Sequence, residues 1–364
     1  MNCFREYPSN TYAGSCNNYM LFSEEERTVT GRMLFRICDT GTLPYRFFFC
    51  NAVDSTFSDG KKCRSNTPGA PYEILSAAVG TCPAPLMGQS MACDAEISDL
   101  PLTPLTFDGS VKKLAASGES YWSDEITLSV SAAEYLVFEW TVRGTDIPYT
   151  PDKKFPCYVR QGMDWKLSNE CPQPCMIGAK RAVARRVGFW GDSITQGLQT
   201  RDDAYEFWVA DIGRHFPTVS VWNLGLGFGR CEDSATGGVW FEKARQLDFV
   251  SLCFGVNDTR EFMAVDPITA NLHKTVMLLK EAGVGVGIMT IPPCDYNPER
   301  EKVWRGCNDY IRRELAKECV YCFDTVKYWG LTPPNDHISR FHAHPSGVGC
   351  ALLADAFSKE CSLL

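Results

Sequence analysis

Five short apolar runs alternate with helical patterns after residue 180, and this order constrains the fold more than any other feature of the chain. The runs span residues 187–190, 219–224, 248–255, 284–291 and 319–323. The helical patterns lie at 203–215, 231–245, 267–282, 298–317 and 345–356. Strands that alternate with helices form a parallel sheet covered on both faces, and such sheets bind ligands beyond the carboxyl ends of their strands. The sequence therefore predicts a five-stranded α/β domain over residues 182–364, with its site in the loops that follow the strands.

The first 165 residues show a different pattern. Alternating β-branched and aromatic runs, such as 31–37 and 135–142, are separated by turn residues. This pattern predicts an antiparallel β-sandwich, jelly-roll-like in form, over residues 1–165, with one helical piece near residues 84–100 that Pro85 interrupts. Five prolines lie between residues 148 and 175, a density typical of a linker. We place that linker at residues 166–181, a segment that also contains Cys171 and Cys175.

Charge and hydropathy argue against two classes of partner. The 364 residues carry a formal net charge of −8, so little would drive the counterion release on which nucleic-acid binding depends. No run approaches the roughly 18 apolar residues of a membrane-spanning helix, and the first residues lack the features of a signal peptide. We therefore expect a cytoplasmic protein with neither a nucleic-acid partner nor a membrane association.

The 18 cysteines are interpreted mainly as buried free thiols, because the chain is long and we expect it to stay in a reducing compartment. Two close pairs, Cys171 with Cys175 and Cys319 with Cys322, have spacings that suggest metal binding. The first lacks a second pair at zinc-ribbon spacing. The second lies in a predicted strand, where residues three apart face opposite sides. We therefore predict no metal and no other cofactor.

A serine follows the first predicted strand of the α/β domain, in the sequence Gly191-Asp192-Ser193. Glycine permits a sharp strand-to-helix turn and close approach of a substrate. The start of the following helix directs N–H groups and positive dipole towards developing negative charge. Ser193 is therefore a candidate nucleophile, with a helix-capping serine as the alternative.

The loops after the next two strands offer hydrogen-bond donors. The second strand ends in Asn223-Leu224-Gly225, and the third is followed by Gly255-Val256-Asn257. The Gly225 N–H is unobstructed by a side chain, and Asn257 has an amide donor. With the Ser193 N–H, these groups form an oxyanion hole built from three strand ends. A tight turn and a capped loop are the alternatives.

A base for Ser193 has to come from the five histidines. His215 and His273 lie within predicted helices, whereas His337, His342 and His344 cluster before the last helix. His344 precedes Pro345, which holds its backbone extended. His344 is therefore the preferred base, and His342 is retained as a second candidate.

These four blocks in this order resemble the SGNH hydrolases of the GDSL esterase superfamily, over about residues 182–364. The resemblance implies a three-layer, flavodoxin-like fold. It implies that Ser193 attacks an ester carbonyl, that His344 transfers the proton, and that Ser193, Gly225 and Asn257 hold the oxyanion. It requires no cofactor.

One position departs from the family pattern. The family usually has an aspartate three residues before the histidine, where this chain has Phe341. Three alternatives follow. A backbone carbonyl orients His344, as in some carbohydrate esterases of the superfamily; Asp336 reaches in from the loop; or the enzyme is weakened.

A β-sandwich ahead of an SGNH domain is similar to the arrangement in certain bacterial carbohydrate esterases. We therefore expect a serine esterase that removes small acyl groups, above all acetyl, from a small acylated carbohydrate. The alternatives are a lipid-ester or thioester hydrolase and a glycan-binding or scaffolding protein with a weakened site. A face of the β-sandwich can also serve as a dimer surface, so a homo-oligomer is a further alternative.

Overall fold

The computed structural model describes residues 2–14, 16–86, 99–262, 264–330, 339–341 and 344–363. Within these residues, β-strands dominate the first half of the chain and alternating strands and helices the second. The predicted helical piece near residues 84–100 falls largely at 87–98, outside the described residues.

The described amino-terminal region contains one short helix and thirteen strands. They are α1 (Cys3–Glu6), β1 (Tyr19–Leu21), β2 (Arg27–Phe35), β3 (Gly41–Cys50), β4 (Tyr72–Pro83), β5 (Thr103–Pro104), β6 (Lys113–Ala115), β7 (Ser120–Trp122), β8 (Ile126–Val130), β9 (Glu134–Gly144), β10 (Ile147–Tyr149), β11 (Cys157–Gln161), β12 (Asp164–Leu167) and β13 (Met176–Ala179). The larger sheet has the order β12-β11-β2-β9-β4-β5, with β6 also pairing with β4. The smaller has the order β13-β3-β7, with β8 also on β3. All pairings in both sheets are antiparallel.

Aromatic side chains from the two sheets pack against each other. The rings of Phe47 and Phe138 lie 5.2 Å apart, and those of Phe49 and Trp140 lie 5.1 Å apart. All four side chains are buried. Because Phe47 and Phe49 belong to β3 and the other two to β9, these contacts join the sheets face to face. The expected antiparallel β-rich domain is confirmed.

The carboxyl-terminal region builds a parallel sheet of five described strands. Its elements are β14 (Arg185–Gly191), α2 (Ser193–Gln196), α3 (Trp208–His215), β15 (Val219–Asn223), α4 (Cys231–Ser234), α5 (Val239–Ala244), β16 (Phe249–Cys253), α6 (Val256–Glu261), α7 (Val265–Glu281), β17 (Gly285–Met289), α8 (Pro298–Arg313), β18 (Tyr321–Phe323), α9 (Thr325–Trp329), β19 (Ser339–Phe341), β20 (His344–Pro345) and α10 (Gly347–Glu360). The strand order is β15-β14-β16-β17-β18, and every neighbouring pair is parallel. Strands β15 and β16 are buried along their whole length, as helices on both faces require. The predicted α/β fold is confirmed.

Two predicted helices are shorter than their patterns indicated. The helix expected over 203–215 begins only at Trp208, because Asp203 and Tyr205 have positive φ angles of 62° and 51°. The helix expected over 231–245 is divided into α4 and α5. The spacing of apolar side chains does not reveal positive φ angles or a break within a helical pattern.

Polar contacts join the two regions. Lys243 Nζ lies 2.6 Å from Asp54, and both side chains are buried. Asp233 accepts hydrogen bonds from the Thr56 N–H and hydroxyl at 2.9 and 2.7 Å. Strand β13, from the segment predicted to be a linker, pairs with β3. The domain boundaries themselves stay a prediction.

No helix among the described residues is long and apolar enough to cross a membrane.

Candidate active site

Ser193 lies where the sequence predicts it, at the turn from β14 into α2. The Asp192 carboxylate caps this helix by accepting the Ile194 N–H at 2.9 Å. Ser193 itself is 8% exposed. A capped turn fixes the backbone, so the hydroxyl is presented from a defined position.

His344 is brought to Ser193 from the other end of the domain. Its Nε2 lies 2.8 Å from Ser193 Oγ, within the range of a nucleophile–base hydrogen bond. His344 begins β20, which pairs antiparallel with β19. Two residues later, Ser346 caps α10 by accepting the Gly349 N–H. A paired strand on one side and a capped helix on the other therefore hold the imidazole.

Gly225 packs directly against α2. A side chain built on it would have its Cβ 2.2 Å from Gln196 N, a distance that no residue other than glycine permits. Its N–H donates to Asn223 Oδ1 at 2.9 Å, and Asn223 Nδ2 donates to Thr195 O at 3.1 Å. Asn223 thus ties the Gly225 loop to α2. Binding an oxyanion at the Gly225 N–H requires that Asn223 share or release this donor.

Asn257 occupies the first turn of α6, beyond the end of β16. One of its amide hydrogens is donated to Gly229 O at 3.0 Å, and an amide nitrogen carries two. The other is available to a substrate oxygen. The neighbouring Asp258 is fully buried and accepts the Cys231 N–H at 3.0 Å, which holds the 229–231 loop against α6.

Two buried carboxyl groups flank these donors. Burial raises the pKa of Asp192 to about 7, in spite of the Ile194 N–H bond. Burial likewise raises the pKa of Asp258 to about 6. Asp258 is also among the charges that raise the pKa of Asp192. Near neutral pH, Asp192 is therefore only partly ionised, whereas Asp258 is mostly ionised.

The position that usually holds an aspartate in the family is occupied by Phe341 in β19. The backbone of Phe341 lies opposite His344 in the β19–β20 pair. Asp336, His337 and the second candidate base, His342, lie outside the described residues. The choice between a backbone carbonyl and Asp336 stays a prediction.

Sequence reasoning missed two residues that shape the site. Asn223 was part of the motif that singled out Gly225, and its place as a polar residue at a buried strand end was the available signal. Gln196, buried at the end of α2, donates to Asp152 O at 2.7 Å. No local pattern indicates this contact, because it joins the two halves of the chain.

The part of the chain that the structure describes holds no group of three or more histidine, cysteine or acidic residues arranged to bind a metal. Its 17 cysteines, including Cys171, Cys175, Cys319 and Cys322, are free thiols.

Residues 189–352 match the GDSL-like Lipase/Acylhydrolase family. The carboxyl-terminal domain is thus an SGNH hydrolase domain, and the protein is an ester-bond hydrolase. A search of curated proteins finds no match.

Solved structures resemble the same half of the chain. A lipolytic protein of the G-D-S-L family from Veillonella parvula is 18% identical, with 49% of this chain and 99% of that chain covered and a TM-score of 0.43. A lipase/acylhydrolase from Enterococcus faecalis is 22% identical, with 48% and 94% covered and a TM-score of 0.39. A variant of an acetyl xylan esterase from Geobacillus stearothermophilus is 25% identical, with 49% and 95% covered and a TM-score of 0.40.

Proposed function

We propose that the protein is a serine esterase that removes small acyl groups, above all acetyl, from carbohydrates. The observation that carries the proposal is the 2.8 Å contact between Ser193 Oγ and His344 Nε2. His344 takes the serine proton as Ser193 attacks the ester carbonyl, and returns it to the leaving alcohol. Water then attacks the acyl-enzyme. His344 takes a proton from this water and returns it to Ser193 Oγ as the acid leaves.

The oxyanion of each tetrahedral intermediate is bound by the N–H of Ser193, the amide of Asn257 and the N–H of Gly225. The first two donors come from helix starts, where the dipole adds to the stabilisation. Because the Gly225 N–H is engaged by Asn223 in the free enzyme, the third donor joins as the substrate oxygen competes for it.

A polyhydroxylated leaving group fits the surroundings of the nucleophile helix. A cavity of about 290 Å³ adjoins the loop that follows α2, and charged or polar residues dominate its lining, among them Asp152, Lys154, Asn169 and Asp202. Such a lining favours hydroxyl groups over an acyl chain of a lipid, because hydroxyl groups form hydrogen bonds with these side chains and an acyl chain cannot.

The test compares hydrolysis of p-nitrophenyl acetate, butyrate and octanoate by the wild type and the Ser193→Ala and His344→Ala variants. We expect acetate to be preferred and both variants to lose at least about 10³-fold in kcat. A steady gain towards octanoate would favour a lipid esterase. A wild type no faster than its variants would sink the esterase proposal.

The same assay addresses the group that orients His344. We expect Asp336→Asn to lower kcat less than about 10-fold, because we propose that a backbone carbonyl holds the imidazole. Loss of an orienting aspartate in a serine triad costs about 10⁴-fold. A loss of that size in Asp336→Asn would assign the role to Asp336 instead.

A further inference from the structure

Three polar side chains surround Gly227, two residues beyond Gly225. A methyl group built on Gly227 would lie 3.0 Å from Asp152 Oδ2, 3.4 Å from Gln196 Oε1 and 3.6 Å from Asn18 Nδ2. Because Gly227 has no side chain, these three polar groups pack closely against its backbone. We call these four residues the Gly227 cradle. Asp152 and Asn18 come from the β-rich region, and Gln196 and Gly227 from the hydrolase domain.

The cradle has more acceptors than donors. Gln196 is 2% exposed and Asn18 is fully buried. Their nitrogens donate to backbone oxygens of Asp152 and Gly227, yet Gln196 Oε1 and Asn18 Oδ1 have no hydrogen-bond partner in the described part of the chain. Buried oxygens without donors are costly, so this arrangement indicates a ligand that supplies hydrogen-bond donors.

The half-buried Asp152 carboxylate is a further acceptor. No described residue donates a hydrogen bond to it, and burial raises its pKa. The neighbouring lysines are engaged elsewhere. Lys153 Nζ donates to Thr150 O and Asn169 O, and Lys154 Nζ to Thr200 O and Asp202. Neither ammonium group occupies the cradle.

The cradle adjoins the reacting atoms. Gln196 lies one helical turn after Ser193 on α2, a rise of about 5 Å. Its backbone nitrogen contacts Gly225, whose N–H we assign to the oxyanion hole. Asp152 also lines the 290 Å³ cavity beside this helix. A sugar whose acyl group is attacked by Ser193 is large enough to reach these acceptors.

We propose that the Gly227 cradle binds free hydroxyl groups of the sugar that carries the scissile ester, and that Asp152 is a specificity-determining residue. The inference rests on the proposed function. Sugar hydroxyls donate hydrogen bonds to the Asp152 carboxylate and to the Gln196 amide oxygen. An anionic leaving group would be repelled by Asp152, and an apolar one would leave both of these acceptors unpaired.

The test uses two substrates, a monoacetylated methyl glucoside and p-nitrophenyl acetate, the second of which has no hydroxyl donor. The measured quantity is the ratio of kcat/KM for the sugar ester to kcat/KM for p-nitrophenyl acetate. We expect Asp152→Asn to lower this ratio at least about 10-fold, because a hydrogen bond to a charged acceptor is lost. The matched control, Asp164→Asn, changes an exposed aspartate on β12 and leaves the ratio within about twofold, since surface substitutions have small effects.

A second variant makes the test independent of the charge change. Gly227→Ala places a methyl group in the cradle, and Gly227 is not among the glycines with positive φ, so alanine is compatible with its backbone. We expect the same fall in the ratio. Thermal melting confirms that both variants are folded.

The outcomes separate the two proposals. A wild type that hydrolyses neither ester overturns the proposed function and this inference with it. A wild type that hydrolyses both, together with a ratio unchanged in Asp152→Asn and Gly227→Ala, overturns the inference alone and assigns the cradle to ordered water.

Discussion

Asn223 shows how one buried amide organises the candidate site. Its oxygen accepts the Gly225 N–H and its nitrogen donates to Thr195 O, so the second strand end is fastened to the nucleophile helix. Asn257 plays a comparable part between α6 and the 229–231 loop. Asn223 thus uses both sides of its amide for structure, whereas Asn257 uses one amide hydrogen and has a second for the oxyanion that we propose it binds.

The residue-scale prediction concerns Asn257. We expect Asn257→Ala to lower kcat for p-nitrophenyl acetate by about 10² to 10³-fold, the usual cost of losing one oxyanion donor. KM should change little, since the donor acts mainly in the transition state. Steady-state kinetics with folding checked by circular dichroism would measure both. A loss confined to KM would instead place Asn257 in ground-state binding.

Among the elements, the four-residue helix α2 begins with a cap from Asp192. Asp192 is fully buried, and only one of its carboxylate oxygens has a hydrogen bond among the described residues. Its pKa is raised to about 7 by burial, above the value of about 3.9 in an unfolded chain. The folded state therefore binds a proton more tightly than the unfolded state.

The pH dependence of stability follows from that difference. The contribution of Asp192 protonation to the free energy of unfolding is complete below about pH 4. It is lost as the pH rises through about 7. Asparagine caps helices equally well and does not titrate. We expect Asp192→Asn to gain up to about 4 kcal/mol over the wild type at about pH 8, with a smaller gain at about pH 5. Urea unfolding at both values checks this, and equal differences at the two would contradict it.

Most strands of the parallel sheet, and the residues at their ends, could be predicted from the sequence. Buried strands leave a strong apolar signal, and the carboxyl ends of parallel strands meet at one edge. The proximity of Ser193 and His344, which lie 151 positions apart, could therefore be predicted. The contacts of Asn223 and Gln196 could not, because they depend on how loops from distant segments pack. The positive φ angles of Asp203 and Tyr205 could not be predicted either, because they do not alter the spacing of apolar residues.

On the scale of the whole molecule, a buried ion pair joins the two regions. Lys243 on α5 contacts both carboxylate oxygens of Asp54 at 2.6 Å. Burial raises the pKa of Asp54, although Lys243 opposes that shift. Removing one member of such a pair leaves the other as an uncompensated buried charge.

We expect Lys243→Met to lower the free energy of unfolding by about 3–5 kcal/mol. The double variant Lys243→Met, Asp54→Asn should recover part of the loss, since the remaining amide is neutral and can still accept the Asn17 N–H. Guanidinium unfolding of the single and double variants would measure the difference. Equal stability of the two would show that the orphaned charge is not the cause.

The buried interface also bears on how a substrate is selected. The Gly227 cradle takes side chains from both regions, and Asp54, Lys243 and Asp233 hold those regions in fixed register. The side chains of the cradle are then in position before a substrate binds, and no free energy of binding is spent on domain closure. Discrimination between sugars would arise from preorganised shape, and the rate of association would not be limited by a closing motion.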